Sequence, residues 1–314
     1  MLRFIATRLV QLVVICFLIS VFAFLLVHLL PGDPTLAILG PNDTPAARAV
    51  LLHQLGLNKG LVSQYGTWII NILHGNLGAS FLTKQTVTNA LGVAVPIDLE
   101  LIVVSQVLAL LVAIPMALVA ALRPNRLFDR IATTSTFAML SLPTFVAGPL
   151  LVLVFAVTLK WVPATGFDRL SQGLGANLKS VILPSVALAI GSVTVYYRLL
   201  RADLIATLQE DFVTMARSKG LSTRYILMRH VMRPSSFSLL AGAGISIGTL
   251  FTGAFVVDVL FQLPGIGYQL VQAIYSRDYL VVQGMALVAA VAFVVVNFGV
   301  DFLLTVLDPR VRRA

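Results

Sequence analysis

Long apolar runs alternate with more polar connections along this chain. Six runs, at 9–30, 99–122, 131–159, 181–200, 239–260 and 281–307, meet the roughly 20 residues that a helix needs to cross a hydrocarbon layer about 30 Å thick. They predict an all-α polytopic membrane protein with six transmembrane helices and one membrane domain over 1–314. The first run follows Arg3 and Arg8 and so has the basic flank of a signal peptide. Its apolar stretch is too long for a signal core, and Leu30-Pro31-Gly32-Asp33-Pro34 offers no small-residue cleavage site, so it is read as a retained span.

Composition agrees: 58% of residues are apolar and 11% charged, and mean hydropathy is +0.95. A soluble chain of 314 residues could not cover such a core with polar surface. The net charge of +9 is spread between the apolar runs, not gathered into a nucleic-acid-binding stripe. With six spans, Arg3, Arg8, Arg123, Arg126, Arg130, Arg198, Arg201, Arg217, Lys219, Arg224, Arg229, Arg233, Arg310, Arg312 and Arg313 fall on one side. Arg48, Lys59, Lys84, Lys160, Arg169, Lys179 and Arg277 fall on the other. Fifteen against seven places both termini in the cytoplasm by the positive-inside rule. Cys16 is the single cysteine, which excludes an intrachain disulfide framework or a cysteine zinc site.

Two connections are long. Residues 31–98 face outward and carry amphipathic stretches with Tyr65 and Trp68. Residues 201–236 lie in the cytoplasm between the fourth and fifth spans. There Glu210 and Asp211 suit a helix N-terminus, Arg217 and Lys219 its last turn, and Gly220 the left-handed residue that ends it. Ser222 suits the N-cap of a second helix over 223–232, with Pro234 near its end. Phe212, Met215 and Ala216 share a face by their spacing. A short helix with a small, apolar face and a rigid stop is suited to docking in a partner's groove. The plainer alternative is an amphipathic connector lying among lipid headgroups.

Ala216-Arg217-Ser218-Lys219-Gly220 resembles the EAA loop of ABC importer permeases, and with Asp211-Phe212-Val213 and Leu221 it resembles the peptide/nickel branch. Other matching pieces are Leu30-Pro31-Gly32-Asp33-Pro34, Gln64-Tyr65 with Trp68, and Gly75-Asn76-Leu77-Gly78. Further on come Ser141-Leu142-Pro143-Thr144-Phe145, Leu263-Pro264-Gly265-Ile266-Gly267, Arg277-Asp278-Tyr279 and Asp308-Pro309-Arg310. Their order and spacing, over nearly the whole chain, carry the resemblance. Departures are Thr214 and Met215 at the first two EAA positions, Pro234 one place late, and Asn76 where an aspartate is common.

The resemblance implies a type I ABC importer permease with a cytoplasmic coupling helix between helices 4 and 5, in a bacterial inner membrane. It implies a substrate-binding protein docking outside, two ATP-binding subunits, and a second homologous permease forming the other half of the path. The expected substrates are di- and oligopeptides. Asp211, Phe212, Val213, Met215, Ala216, Arg217, Lys219, Gly220 and Leu221 are its implied ATPase-coupling residues. The chain has no Gly-x-x-x-x-Gly-Lys-Ser/Thr loop, so ATP and magnesium are expected on the partners and no cofactor on this chain.

Pro115, Pro143 and Pro149 are expected to kink or interrupt their spans. Ser141, Pro143 and Thr144 are the candidates for lining a path, and Gly244 and Gly248 have the spacing that lets helix backbones touch. Glu100, Asp258 and Asp301 are the ionisable groups expected within spans. A secondary transporter driven by an ion gradient is the alternative, but inverted repeats and a row of midplane carboxylates are missing from the sequence. An intramembrane enzyme lacks a constellation: His28, His53, His74 and His230 form no His-Glu-x-x-His, and Gly-x-Ser-x-Gly is absent.

Overall fold

In a bilayer every backbone group must bond within the protein, which favours helices. The computed structural model describes residues 2–29, 39, 44–54 and 58–307. Among them the chain is helical, apart from turns and one isolated antiparallel bridge between Ala79 and Thr86. In chain order the helices are α1 (Leu2–Leu29), α2 (Pro45–Gln54), α3 (Leu61–Leu73), α4 (Val87–Leu122) and α5 (Leu127–Leu140). There follow α6 (Thr144–Thr158), α7 (Leu174–Leu208), α8 (Asp211–Ser218), α9 (Thr223–Phe261), α10 (Ile266–Tyr275) and α11 (Tyr279–Leu307). The Leu30-to-Pro34 and Asp308-to-Arg310 motifs and the Asp301 side chain lie outside what is described.

Among the described residues four helices are long and apolar enough to cross a membrane: α4, α7, α9 and α11 over Tyr279–Val300. The predicted third span is not one rod. It divides at residues 141–143 into α5 and α6, bent by 106°, and the pair together has the length of a fifth span. Pro143 explains the break, because its ring excludes the helical bond and biases the residue before it away from the helical region. By contrast, α4 continues through Pro115, and α6 passes Pro149 and widens into a π-helical turn over Val152–Thr158. The helix α1 is apolar over Leu9–Leu25, shorter than a full crossing by the same measure. The spans expected at 99–122 and 181–200 begin much earlier, at Val87 and Leu174.

The second helix of the 201–236 loop does not end at Pro234. It runs on as α9 to Phe261, and the expected stop is overturned. A π-helical turn over Ile226–Val231 ends three residues before that proline and contains His230, whose carbonyl the ring would crowd, so that carbonyl sits in a wider, looser turn.

The structure divides into two compact units, one of residues 1–97 with 264–298 and one of residues 98–263 with 299–314. In the first, α3 lays Tyr65 and Trp68 against Phe17 and Phe24 of α1, and the Ser20 and Tyr65 hydroxyls bond at 2.7 Å. The Gly75-to-Gly78 motif is a turn in which the Asn76 side chain accepts the Gly78 N–H at 3.0 Å, a bond for which asparagine serves as well as aspartate. Asp278 of the Arg277-Asp278-Tyr279 motif is buried and accepts the Ser80 hydroxyl. A side chain at Gly284 would place its Cβ 2.8 Å from the Leu77 carbonyl, so only glycine lets these segments approach.

In the second unit, α7 is central. Tyr196, Tyr197, Leu200 and Leu204 are fully buried in a core that takes in Ala109, Ala113 and Ala117 of α4 and Leu239 of α9. Gly242 and Gly253 of α9 meet Leu199 and Leu188 of α7, so these glycines, three helical turns apart, make the close approach within the chain. The expected pair lies nearby: Gly248 is buried and Gly244 half-buried.

Candidate functional site

The site is built where α7 hands over to α8. Only Gln209 and Glu210 separate the two helices, and their N–H groups bond the Ala206 and Thr207 carbonyls at 3.1 and 3.2 Å. Asp211 opens α8, where it meets the positive end of the helix dipole. The helix stops as its sequence demands. Gly220 has φ +77°, its N–H bonds the Arg217 carbonyl at 2.9 Å, and the Leu221 N–H bonds the Ala216 carbonyl at 3.3 Å. These are the two bonds of a Schellman stop, in which glycine takes the left-handed position without a Cβ penalty. Ser222 then caps α9, its hydroxyl accepting the Tyr225 N–H at 3.4 Å.

The two faces of α8 do different things. Val213 is buried at 1% exposure in the core formed by Leu200 and Leu204 of α7 and Ile226, Leu227 and Val231 of α9. Ala216, one turn on, packs half-buried against the same core. Phe212 and Met215 point away from it, 42% and 58% exposed. This revises the face expected from spacing: Ala216 belongs with Val213 on the inner side, and the outward apolar pair is Phe212 and Met215. Leu221, Tyr225 and Met228 continue the outward apolar surface, and Asp211, Arg217, Lys219 and Gly220 are exposed around it. An apolar strip with a basic rim can seat against a groove with an acidic rim.

Polar side chains brace α7 from behind. Asp129 of α5 is buried and receives the Arg201 fork, Nε at 2.5 Å and Nη2 at 2.6 Å. It also accepts the Tyr197 hydroxyl at 3.2 Å and the Asn125 N–H at 2.7 Å. Asn125 holds φ +64° at the tip of the α4–α5 turn, a conformation that asparagine tolerates. Deeper in, Tyr196 donates to Gln106 Oε1 at 2.6 Å, and Gln106 Nε2 donates to the Ala243 carbonyl at 2.9 Å, tying α7, α4 and α9.

The sequence had singled out none of these bracing residues; Arg201 counted there only as a charge. An aspartate set among Arg123, Arg126 and Arg130 was the available signal at Asp129. Asp98 is also buried, at 1% exposure, and was missed because it falls just before the predicted second span. Asp258, an expected intramembrane group, is fully buried, and Glu100 is half-buried. Ser141 is exposed at the helix break, its hydroxyl bonded to the Phe137 carbonyl at 3.1 Å, with Pro143 exposed and Thr144 half-buried beside it. Among the described residues no cluster of three or more histidine, cysteine or acidic side chains is placed to hold a metal ion.

Membrane-length helices, a bent helix pair and a capped two-faced helix between two of the longest are what the described residues present. The chain belongs to the family of binding-protein-dependent transport system inner membrane components, whose model matches residues 113–313. The model for the N-terminal part of such membrane components matches residues 1–102. A putative peptide transport system permease protein of Brucella abortus (strain 2308) is 35% identical over 305 residues, 97% of each chain. A probable peptide ABC transporter permease protein of Sinorhizobium fredii is 32% identical over 309 residues, covering 98% of this chain and 99% of the relative. The glutathione transport system permease protein GsiC of Escherichia coli (strain K12) is 33% identical over 312 residues, 99% of each chain.

Proposed function

We propose that this chain forms half of the translocation path of an ATP-driven importer of di- or oligopeptides, a class that includes the tripeptide glutathione. The observation that carries the reading is the capped helix α8, anchored inward by Val213 and presenting Phe212 and Met215 outward. Two ATP-binding subunits, which bring ATP and magnesium, receive that outward face. Asp211, Arg217 and Lys219 make its polar contacts, while Gly220 and Leu221 set where the helix stops. A second homologous permease supplies the other half of the path, and a substrate-binding protein delivers the peptide from outside. The excess of basic residues on one side supports a cytoplasmic α8 and cytoplasmic termini. On this reading α1, 28 residues long and about 42 Å by helical rise, is the sixth crossing. Ser141, Pro143 and Thr144, at the break between α5 and α6, lie beside the path, where irregular backbone is tolerated in a membrane.

Replacing Met215 with arginine tests the docking. The variant is expected to insert normally yet lose copurification with the ATP-binding subunits and peptide uptake together. Native values of both would contradict the proposal.

A further inference from the structure

The helices α5 and α7 are joined by a polar zipper at regular intervals. Arg201 forks onto Asp129, Tyr197 meets the Thr133 hydroxyl at 3.1 Å, and Thr194 donates to the Thr136 carbonyl at 3.0 Å. Outside this series, the Arg198 guanidinium lies over the Phe137 ring, 5.5 Å from its centroid. Each step between the three hydrogen-bonded pairs is one turn along α7 and one turn back along α5, so these contacts fix the register of the two helices.

The strongest of them is not explained by stability. A buried ion pair recovers little beyond its own desolvation, and well-packed apolar replacements are often neutral. What the bidentate fork adds is geometry, since two parallel N–H···O bonds resist sliding and rotation in a way that apolar contacts do not. The Asp129 side chain is 3% exposed and that of Arg201 24%, so water does little to loosen the fork.

The fork stands at a useful place. Arg201 lies ten residues before Asp211, about two turns, or about 10 Å of helix, from the end of α7 at Leu208. Asp129 lies in the first turn of α5, whose other end meets the break at 141–143.

We propose that Asp129 and Arg201 are positioning residues for energy coupling: their fork makes α5, and with it the break at Pro143, follow a displacement of α8. Arg201 carries the motion of α7 to Asp129, and Tyr197 with Thr133 and Thr194 with Thr136 keep the helices in register as they move. The proposal rests on the reading of α8 as the ATPase-docking helix.

The test uses the assembled permease–ATPase complex in liposomes, with Cys16 replaced by serine and Leu142→Cys as a reporter beside the break. The rate of labelling by an impermeant maleimide is compared without nucleotide and after trapping with ATP and vanadate. The native pair is expected to give a nucleotide-dependent change. Asp129→Asn with Arg201→Met, which removes both charges and leaves neither unpaired, is expected to shrink that change about tenfold while the ATPase still copurifies and hydrolyses ATP. Arg201→Lys, which keeps the charge and loses the fork, is expected to behave like the double variant. The exchange Asp129→Arg with Arg201→Asp is expected to recover part of the response. A native-sized response in both the double variant and Arg201→Lys would overturn the proposal. If the ATPase fails to copurify even with the native pair, the docking reading itself falls, and this inference with it.

Discussion

The helices α4 and α7 are close in length, 36 and 35 residues, and both are apolar enough to span a membrane. Their surroundings differ sharply. In its most apolar stretch α7 is 61% buried, whereas α4 is 28% buried. From Ser105 onward the buried positions of α4 form a narrow seam, Ser105, Ala109, Ala113, Ala117 and Ala121, each four residues from the last, with Ala120 beside it. Small residues there let backbones approach, and Val107, Leu111, Val112 and Val119 are left exposed to lipid or a partner chain. On α7 the contacts are polar and specific as well as apolar, and Thr194, Tyr196, Tyr197 and Arg201 each have a named partner on another helix. A seam of alanines holds a helix close; a row of hydrogen bonds holds it in register. The helix that leads into α8 is the one held in register.

That contrast can be broken at graded cost. Ala113→Leu forces a large side chain into the fully buried seam and is expected to destabilise the chain by about 3 kcal/mol, read as a lowered unfolding midpoint in detergent. Arg201→Ala strands the buried Asp129 carboxylate and is expected to cost about 2 kcal/mol, with much of the loss recovered in the Asp129→Asn, Arg201→Met double variant. Tyr196→Phe removes one hydrogen bond to Gln106 and should cost about 1 kcal/mol, in the upper range of membrane hydrogen bonds. Leu111→Ala, on the open face of α4, is expected to stay within about 0.5 kcal/mol of the parent. Equal losses for Leu111→Ala and Ala113→Leu would erase the distinction between the two sides of α4.

How much of this was legible follows from how local each feature is. Asp211 at the start of α8, Gly220 at its end and Ser222 as the next cap are decided within a few residues, and all three stand where their sequence put them. Pro143 likewise announced the broken third span, although not its 106° bend. The inner face of α8 was not legible, because in an eight-residue helix Phe212, Val213, Met215 and Ala216 cover too much of the circumference to rank by spacing. The choice is made by Leu204, Ile226 and Val231, which meet there only in the folded chain. The Asp129–Arg201 fork joins residues 72 apart, and the sequence pattern presents them only as charges near span ends. The π turn that lets α9 run past Pro234 has no residue signature of its own, and the proline alone argued for a stop.

On the proposed reading α8 is one helix with two duties, holding its own chain through Val213 and meeting an ATP-binding subunit through Phe212 and Met215. The most direct measurement places single cysteines at 212, 213 and 215 in a Cys16→Ser background and crosslinks each in assembled complexes with a short bifunctional thiol reagent. Phe212→Cys and Met215→Cys are predicted to join the ATP-binding subunit in high yield, and Val213→Cys to remain uncrosslinked. Crosslinking at Val213→Cys equal to that at Met215→Cys, or none at any of the three positions, would contradict the account.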